Sequence, residues 1–567
     1  MKRNAFLLSA ALATAAVLVC RSPVRAADAA PALPPIDGAA VLEHTKVLAS
    51  DAFEGRAPGT PGEEKTVAYL VEQLKKAGLA PGNPDGTWVQ QVPLVGTTVT
   101  NAPPLVLRGP KGERTLAWRE DYVAWTKRVS EKTALEGSEL VFVGYGVQAP
   151  EFRWDDYKGV DLRGKTLVVL VGDPPVPDPR RPGHLDPRVF GGRAMTYYGR
   201  WTYKYEMGAK TGAAGVLIVH ETQAAGYPFA VVQGKTAEQF DSEAPDGNRG
   251  RAAVEGWITL EQARALFALA GQDWSALHAK AATRAFRPVP LGVHATVRLE
   301  NAIRKVPSAN VAAALAGGDR KDEWLVYTTH WDHFGIGPAV DGDTIYRGAV
   351  DNASGTAGLI EIARALAQAK PRPSRSMLFL FVTGEEQGLL GSAWYAEHPL
   401  YPLAKTAAVL NLDGLNVHGR TRDLTIVGLG LSTLDDTLAR AAARQDRIVK
   451  PDPTPEKGSY YRSDHFSFAR KGVPSIHAGG GVDFVGKPAG YGLRVRDEYV
   501  ARDYHKPSDK VRPDWDMSGA VLDLELYLRA GYEIADSDAW PAWKPGAEWK
   551  ARREEMLKAA PGHPNWP

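Results

Sequence analysis

The sequence predicts an α/β protein with a mixed, mostly parallel sheet and helices on both faces, carrying a smaller β-rich α+β domain as an insertion. Three observations lead there. From Glu323 onward, apolar strand-like runs alternate with amphipathic helical ones. Between about 131 and 295 that rhythm gives way to short β-rich runs separated by turn residues. Finally, 567 residues of 44% hydrophobic content exceed what one core supports. Lys plus Arg number 68 against 66 Asp plus Glu, and the formal charge of +2 gives no electrostatic reason to expect a nucleic-acid partner.

Taken in order, Lys2 and Arg3 precede an apolar run over 5–19, and Val24-Arg25-Ala26 follows as a small-residue cleavage pattern. Residues 1–26 therefore read as a secretory signal peptide, since the run falls short of the roughly 20 residues of a membrane span. No later segment is long and apolar enough to span. The mature chain is expected to be exported, periplasmic or extracellular, without membrane insertion. Its single cysteine, Cys20, lies in this leader, so any metal must be held by histidines and carboxylates alone.

Residues 27–130 are read as the N-terminal part of the main domain. Thr60-Pro61-Gly62-Glu63 has capping-box spacing with proline at the first helical position. Val67, Leu70, Val71 and Leu74 then share a face, and Gly78 supplies the stop. The insertion, 131–295, carries expected strands at 140–147, 165–172, 215–219 and 227–232, with a loop over 173–192. The main domain proper, 296–540, alternates a buried strand at 324–329, a helix at 355–369, a strand at 377–382, a helix at 389–397 and a strand at 407–412. A last core helix lies near 522–534. The tail, 541–567, holds a charged surface helix over 548–558.

In parallel α/β sheets ligands gather at the carboxyl ends of the strands, and polar residues collect there. The strand at 324–329 runs into His330-Trp331-Asp332-His333, although a histidine at a strand end is often just a hydrogen-bonded residue. Asp351-Asn352-Ala353-Ser354-Gly355 opens the next helix, where Asp and Ser also serve as ordinary caps. After the strand at 377–382 come Glu385 and Glu386, which repel each other when desolvated unless a cation or a shared proton is present. Asp413 ends a further strand. Far downstream, His505 sits between Asp503 and Asp509. Together these give two histidines and several carboxylates without a thiol, a donor set that suits zinc. A pair of ions about 3.5–4 Å apart needs one carboxylate in common, and Asp351 is the candidate.

These residues, in this order, resemble the co-catalytic dizinc exopeptidase family that includes the secreted bacterial leucine aminopeptidases, glutamate carboxypeptidase II and the transferrin receptor. The blocks 385–392 and 351–355 carry the match. The runs at 140–147 and 212–219 resemble the protease-associated domain found inserted in many members. The resemblance implies two zinc ions per chain and peptide substrates cut one residue at a time from the amino end. It implies that His330 and Asp413 hold one ion, Glu386 and His505 the other, with Asp351 spanning both. Glu385 is then the general base, and Asp332 accepts the second imidazole proton of His330. Tyr504 is a candidate donor to a developing oxyanion. Asp464 and His465, in the Ser463-Asp464-His465-Phe466 block, are candidate substrate-pocket residues, while His333, His418 and His477 read as structural. Within the same family stand a carboxypeptidase or dipeptidase, a single-zinc glutaminyl cyclase-like transferase and a binding protein without catalysis.

Overall fold

The protein is described here by a computed structural model covering residues 32–234 and 238–560. The leader expected over residues 1–26, with Cys20, lies outside the described residues. The central strand of the larger sheet, Arg320–His330, runs parallel to Arg375–Val382 on one side and to Thr406–Asn411 on the other. Ser475–Gly480 continues the parallel set, and Asp423–Val427 then joins antiparallel. On the opposite flank, Arg375–Val382 pairs antiparallel with the end of Val289–Leu315. The sheet is thus mixed, with a parallel centre.

The central strands are buried along both faces, which is why they read in sequence as continuous apolar runs rather than alternating ones. Leu325, Tyr327, Phe379 and Phe381 face helices Gly355–Gln368 and Ser518–Asp536, meeting Leu359, Ile362 and Leu524. Val326, Leu378, Leu380 and Val409 point the other way, onto Tyr395 of helix Leu390–Glu397 and Phe468 of helix His465–Ala469. Helices therefore cover both faces, and every parallel strand delivers its carboxyl end to one rim.

A second body of β structure has its own cluster around Trp125, Phe142, Trp257 and Phe267. Strands Lys132–Phe142, Thr166–Leu170, Gly215–His220 and Val254–Thr259 run parallel in that order. Leu105–Gly109 and Tyr122–Trp125 pair into the same sheet, so strands on the amino side of residue 131 contribute to it. The 27-residue strand Val289–Leu315 belongs to both bodies. Its first part pairs with Lys132–Phe142, its middle with Val89–Asn101 and its end with Arg375–Val382.

Two local expectations change. The apolar run at 227–232 is not a strand: Phe229–Gly234 is a short helix. Pro228 has the φ of a first helical turn and no N–H for a ladder, and its carbonyl accepts from Val231 N at 3.1 Å. Nor does the capping box close before helix Pro61–Lys76. Thr60 Oγ1 donates instead to Ala57 O, and Glu63 Oε2 accepts from Gly59 N. Glu63 Oε1 accepts from Ser308 Oγ and Ala309 N, tying the helix to the long strand.

Arg56 joins this scaffold to the rim. It is 1% exposed and donates to Trp331 O at 2.8 Å, Leu48 O at 2.7 Å, Arg347 O at 2.6 Å and Gly348 O at 3.0 Å. Burial lowers its pKa to about 10, opposed by Asp332, Asp509, Asp351 and Glu386, so it stays charged at neutral pH. Arg56→Met removes the side-chain donor of Trp331 O, Leu48 O and Arg347 O, leaves Gly348 O with Ala353 N alone, and takes a cation from the acidic rim. We expect a loss of about 3 kcal/mol or more, read from the urea unfolding midpoint.

Candidate metal centre

His330 is the last residue of strand Arg320–His330, and its ring is fully buried at the rim. Its Nε2 lies 3.3 Å from Asp413 Oδ1 and 3.4 Å from Asp351 Oδ1. Its Nδ1 lies 3.2 Å from the backbone carbonyl of Asp332, so that carbonyl, rather than the Asp332 carboxylate at 3.8 Å, fixes the tautomer. Asp332 Oδ1 is used otherwise: it accepts from Glu385 N at 3.1 Å and so positions the start of the Glu385-Glu386 turn.

Asp351 stands in the turn Ala349–Ser354, which is stitched to two neighbouring strand ends and to the loop holding Asp509. Asn352 Nδ2 donates to Thr329 Oγ1 and Leu412 O, while its Oδ1 accepts from Gly355 N and Gly414 N. The Asp509 carboxylate accepts from Val350 N, Asp351 N and Tyr499 OH at 3.0, 3.1 and 3.2 Å. Burial raises its pKa to about 6 against those bonds. Asp509 was visible only as a flank of His505, because nothing local reveals that it caps a turn 158 residues away. Asp509→Asn keeps the shape but places an amide against N–H donors. We expect metal affinity to fall about 10–100-fold, read by chelator competition, with the fold retained.

The second half of the rim comes from two loops. Glu386 follows strand Arg375–Val382 and approaches His505 Nε2 at 3.1 Å through Oε2. The same His505 nitrogen lies 3.3 Å from Asp351 Oδ2. Asp351 therefore faces His330 with one oxygen and His505 with the other. Asp413, two residues beyond strand Thr406–Asn411, is held through Oδ2 by Ser463 Oγ at 2.6 Å.

Glu385 sits beside these groups and takes part in no ion pair among the described residues. Burial, reinforced by Asp413, Glu386 and Asp464 and opposed by His330, pushes its carboxyl well above the usual range. Tyr504 stacks on His505 with ring centres 3.6 Å apart, and its hydroxyl lies 3.4 Å from Arg462 Nη2. Asp464 and His465 do not line a cleft. Both are 0% exposed, since the short helix His465–Ala469 packs them inward, with His465 between the rings of Tyr460 and His477. They stand behind the rim.

The donors fit a cation. Asp332, Asp351, Glu385, Glu386, Asp413 and Asp464 converge on one buried region, and Glu386 Oε1 and His505 Nε2 are enclosed without a hydrogen-bond partner. At His505, burial is outweighed by Glu386 and Asp351, and the imidazole is pushed up to about 9. Two overlapping donor triads lie within ion-binding spacing: His330, Asp351 and Asp413, and His333, Asp351 and Glu386. Nitrogen and carboxylate donors without sulfur suit zinc.

An α/β sheet with imidazoles and carboxylates gathered on its carboxyl rim defines a metallohydrolase class of domain. Residues 310–528 match Peptidase family M28, and this segment is a zinc metallopeptidase-like domain. The mouse (Mus musculus) aminopeptidase NAALADL1 is 33% identical over 129 residues, 22% of this chain and 16% of that protein. A probable zinc metalloprotease of Pyrenophora teres f. teres is 36% identical over 114 residues, 20% of this chain and 24% of that protein. The matches thus span less than a quarter of those relatives. Among solved structures, an aminopeptidase from Aneurinibacillus sp. strain AM-1 aligns with 90% of this chain and 97% of its own, at 19% identity and a TM-score of 0.49.

Proposed function

We propose that this protein is an exported, metal-dependent exopeptidase, an aminopeptidase that releases amino-terminal residues from peptides with the help of two zinc ions. His330 and Asp413 hold one ion, Glu386 and His505 the other, and Asp351 serves both. The observation that carries this reading is Asp351 itself, with its two oxygens 3.4 and 3.3 Å from two histidines that come from opposite ends of the catalytic segment. Bound there, the ions polarise the scissile carbonyl and lower the pKa of water. Glu385 accepts the proton of the attacking water and later gives one to the leaving amine, a role suited to a carboxyl held above its usual range. Asp332 fixes the backbone from which Glu385 projects. Tyr504 donates to the oxygen on which charge develops, a role supported by its stacking on His505.

No helix among the described residues is long and apolar enough to cross a membrane. Residues 131–295 are read as a protease-associated insertion that narrows entry to short or unfolded peptides. A second reading, a carboxypeptidase or dipeptidase of the same family, draws support from Arg462, an exposed guanidinium next to Tyr504 that suits a free carboxylate. The test is a panel of amino-acid amides, amino-blocked peptides and carboxyl-blocked peptides, assayed with and without chelator. Release from free amino ends that chelator abolishes supports the aminopeptidase. Cleavage confined to substrates with free carboxyl ends favours the second reading, and chelator-insensitive cleavage overturns both.

A further inference from the structure

His333 reads in sequence as a structural histidine, three residues past His330 and without a motif of its own. In the fold it is wholly enclosed, at 0% exposure, and neither ring nitrogen has a hydrogen-bond partner. A buried imidazole whose ring nitrogens make no aligned hydrogen bond forfeits their hydration, which folded proteins seldom tolerate. Its Nδ1 is in ion-pair contact with Glu386 Oε1 at 2.5 Å, and neither of these two atoms makes an aligned hydrogen bond. The same group of donor atoms includes an oxygen of Asp351.

The surroundings are shaped around the ring. The His333 and His505 rings lie 5.9 Å apart, and Phe334 packs edge-on to both, with centroids 4.9 and 4.7 Å away. A Cβ on Gly348 would lie 2.5 Å from His333 Cγ, so only glycine leaves room for the ring at this depth. Glu386 is accordingly flanked by an imidazole on each oxygen, His333 at Oε1 and His505 at Oε2.

We propose that His333 is a fourth protein ligand of the ion held by Glu386, His505 and Asp351, which rests on the dizinc reading above. The two halves of the centre then differ. One has four protein donors, the closed arrangement of a tightly held ion, and the other has His330, Asp351 and Asp413 with a position left open. The ion at the Glu386 half should load first and leave last, and exchange should be confined to the His330 half.

The experiment is a titration of the chelator-stripped full chain with Co²⁺ and with Zn²⁺, comparing wild type with His333→Ala and His333→Asn. The readouts are affinity by competition with a chromophoric chelator and the visible absorption of bound Co²⁺. Circular dichroism establishes that each variant is folded. In wild type we expect two equivalents of distinct affinity. In both variants the tighter equivalent should weaken at least about tenfold, with an altered Co²⁺ spectrum, while the weaker equivalent stays as it was. His333→Asn retains an N–H for Glu386. Recovery of affinity and spectrum in that variant makes His333 a mere hydrogen-bonding support and overturns the proposal, as does wild-type binding in His333→Ala. Wild type that binds fewer than two ions instead sinks the dizinc reading on which the proposal rests.

Discussion

Glu385→Gln is expected to bind metal as wild type does, to unfold at the same temperature, and to lose about 10²- to 10⁴-fold in kcat. The reasoning is geometric. Glu385 is outside the donor pairs formed by His330, Asp351, Asp413, Glu386 and His505, so replacing its carboxylate with an amide of the same shape removes proton transfer and little else. Its backbone N–H to Asp332 persists in the variant. Removing one member of a crowd of buried carboxylates also relieves repulsion, so the metal-free variant should be no less stable than metal-free wild type. Steady-state kinetics alongside metal analysis checks the whole expectation. A variant with unaltered kcat ends the general-base assignment.

The second large effect is expected at Asp351. Every other ligand in the proposed set touches one half of the centre, whereas Asp351 touches both, so Asp351→Ala should lose both ions together and fall to the activity of chelator-treated wild type. Stability supplies an independent readout. A ligand present at about 1,000 times its dissociation constant stabilises the folded state by about 4 kcal/mol. Chelation should therefore lower the unfolding temperature of wild type and leave that of Asp351→Ala unchanged. Without metal the variant should also melt below wild type, since burial of the Asp351 carboxylate is outweighed by His330 and His505, which hold it well below its usual range, and its removal strips both imidazoles of that partner. Retention of one tightly bound ion in Asp351→Ala would mean that the two halves do not share this carboxylate.

Much of this arrangement was legible in the sequence because the chemistry sits where a parallel sheet puts it. His330 and Asp413 stand at or just beyond strand ends, and Glu385 and Glu386 follow a third strand within a few residues. Asp351 and His505 were weak locally, a helix start and a loop, and stood out only as members of the whole donor set. What stayed hidden depends on contacts between distant segments. Arg56 has no motif, and its four carbonyl partners become neighbours only once strand Arg320–His330 and the 347–348 turn are in place. Asp464 and His465 belong to a motif, but a motif does not say which way a five-residue helix faces. The run at 227–232 was misread because a short apolar stretch has no decisive period, and the proline that settles it lies at its second residue.

The strand Val289–Leu315 has a mechanical consequence. Because one uninterrupted stretch of chain is hydrogen-bonded into both sheets, the smaller body is not hung on a loose tether. A swing of that body loads the ladder shared with Val89–Asn101, whose pairing slips at Glu300/Asn301, and bending concentrates at that slip. From there the beam runs on to Leu315 alongside Arg375–Val382, the strand that presents Glu385 and Glu386. One continuous ladder thus links the outlying sheet to the turn that holds Glu385 and Glu386.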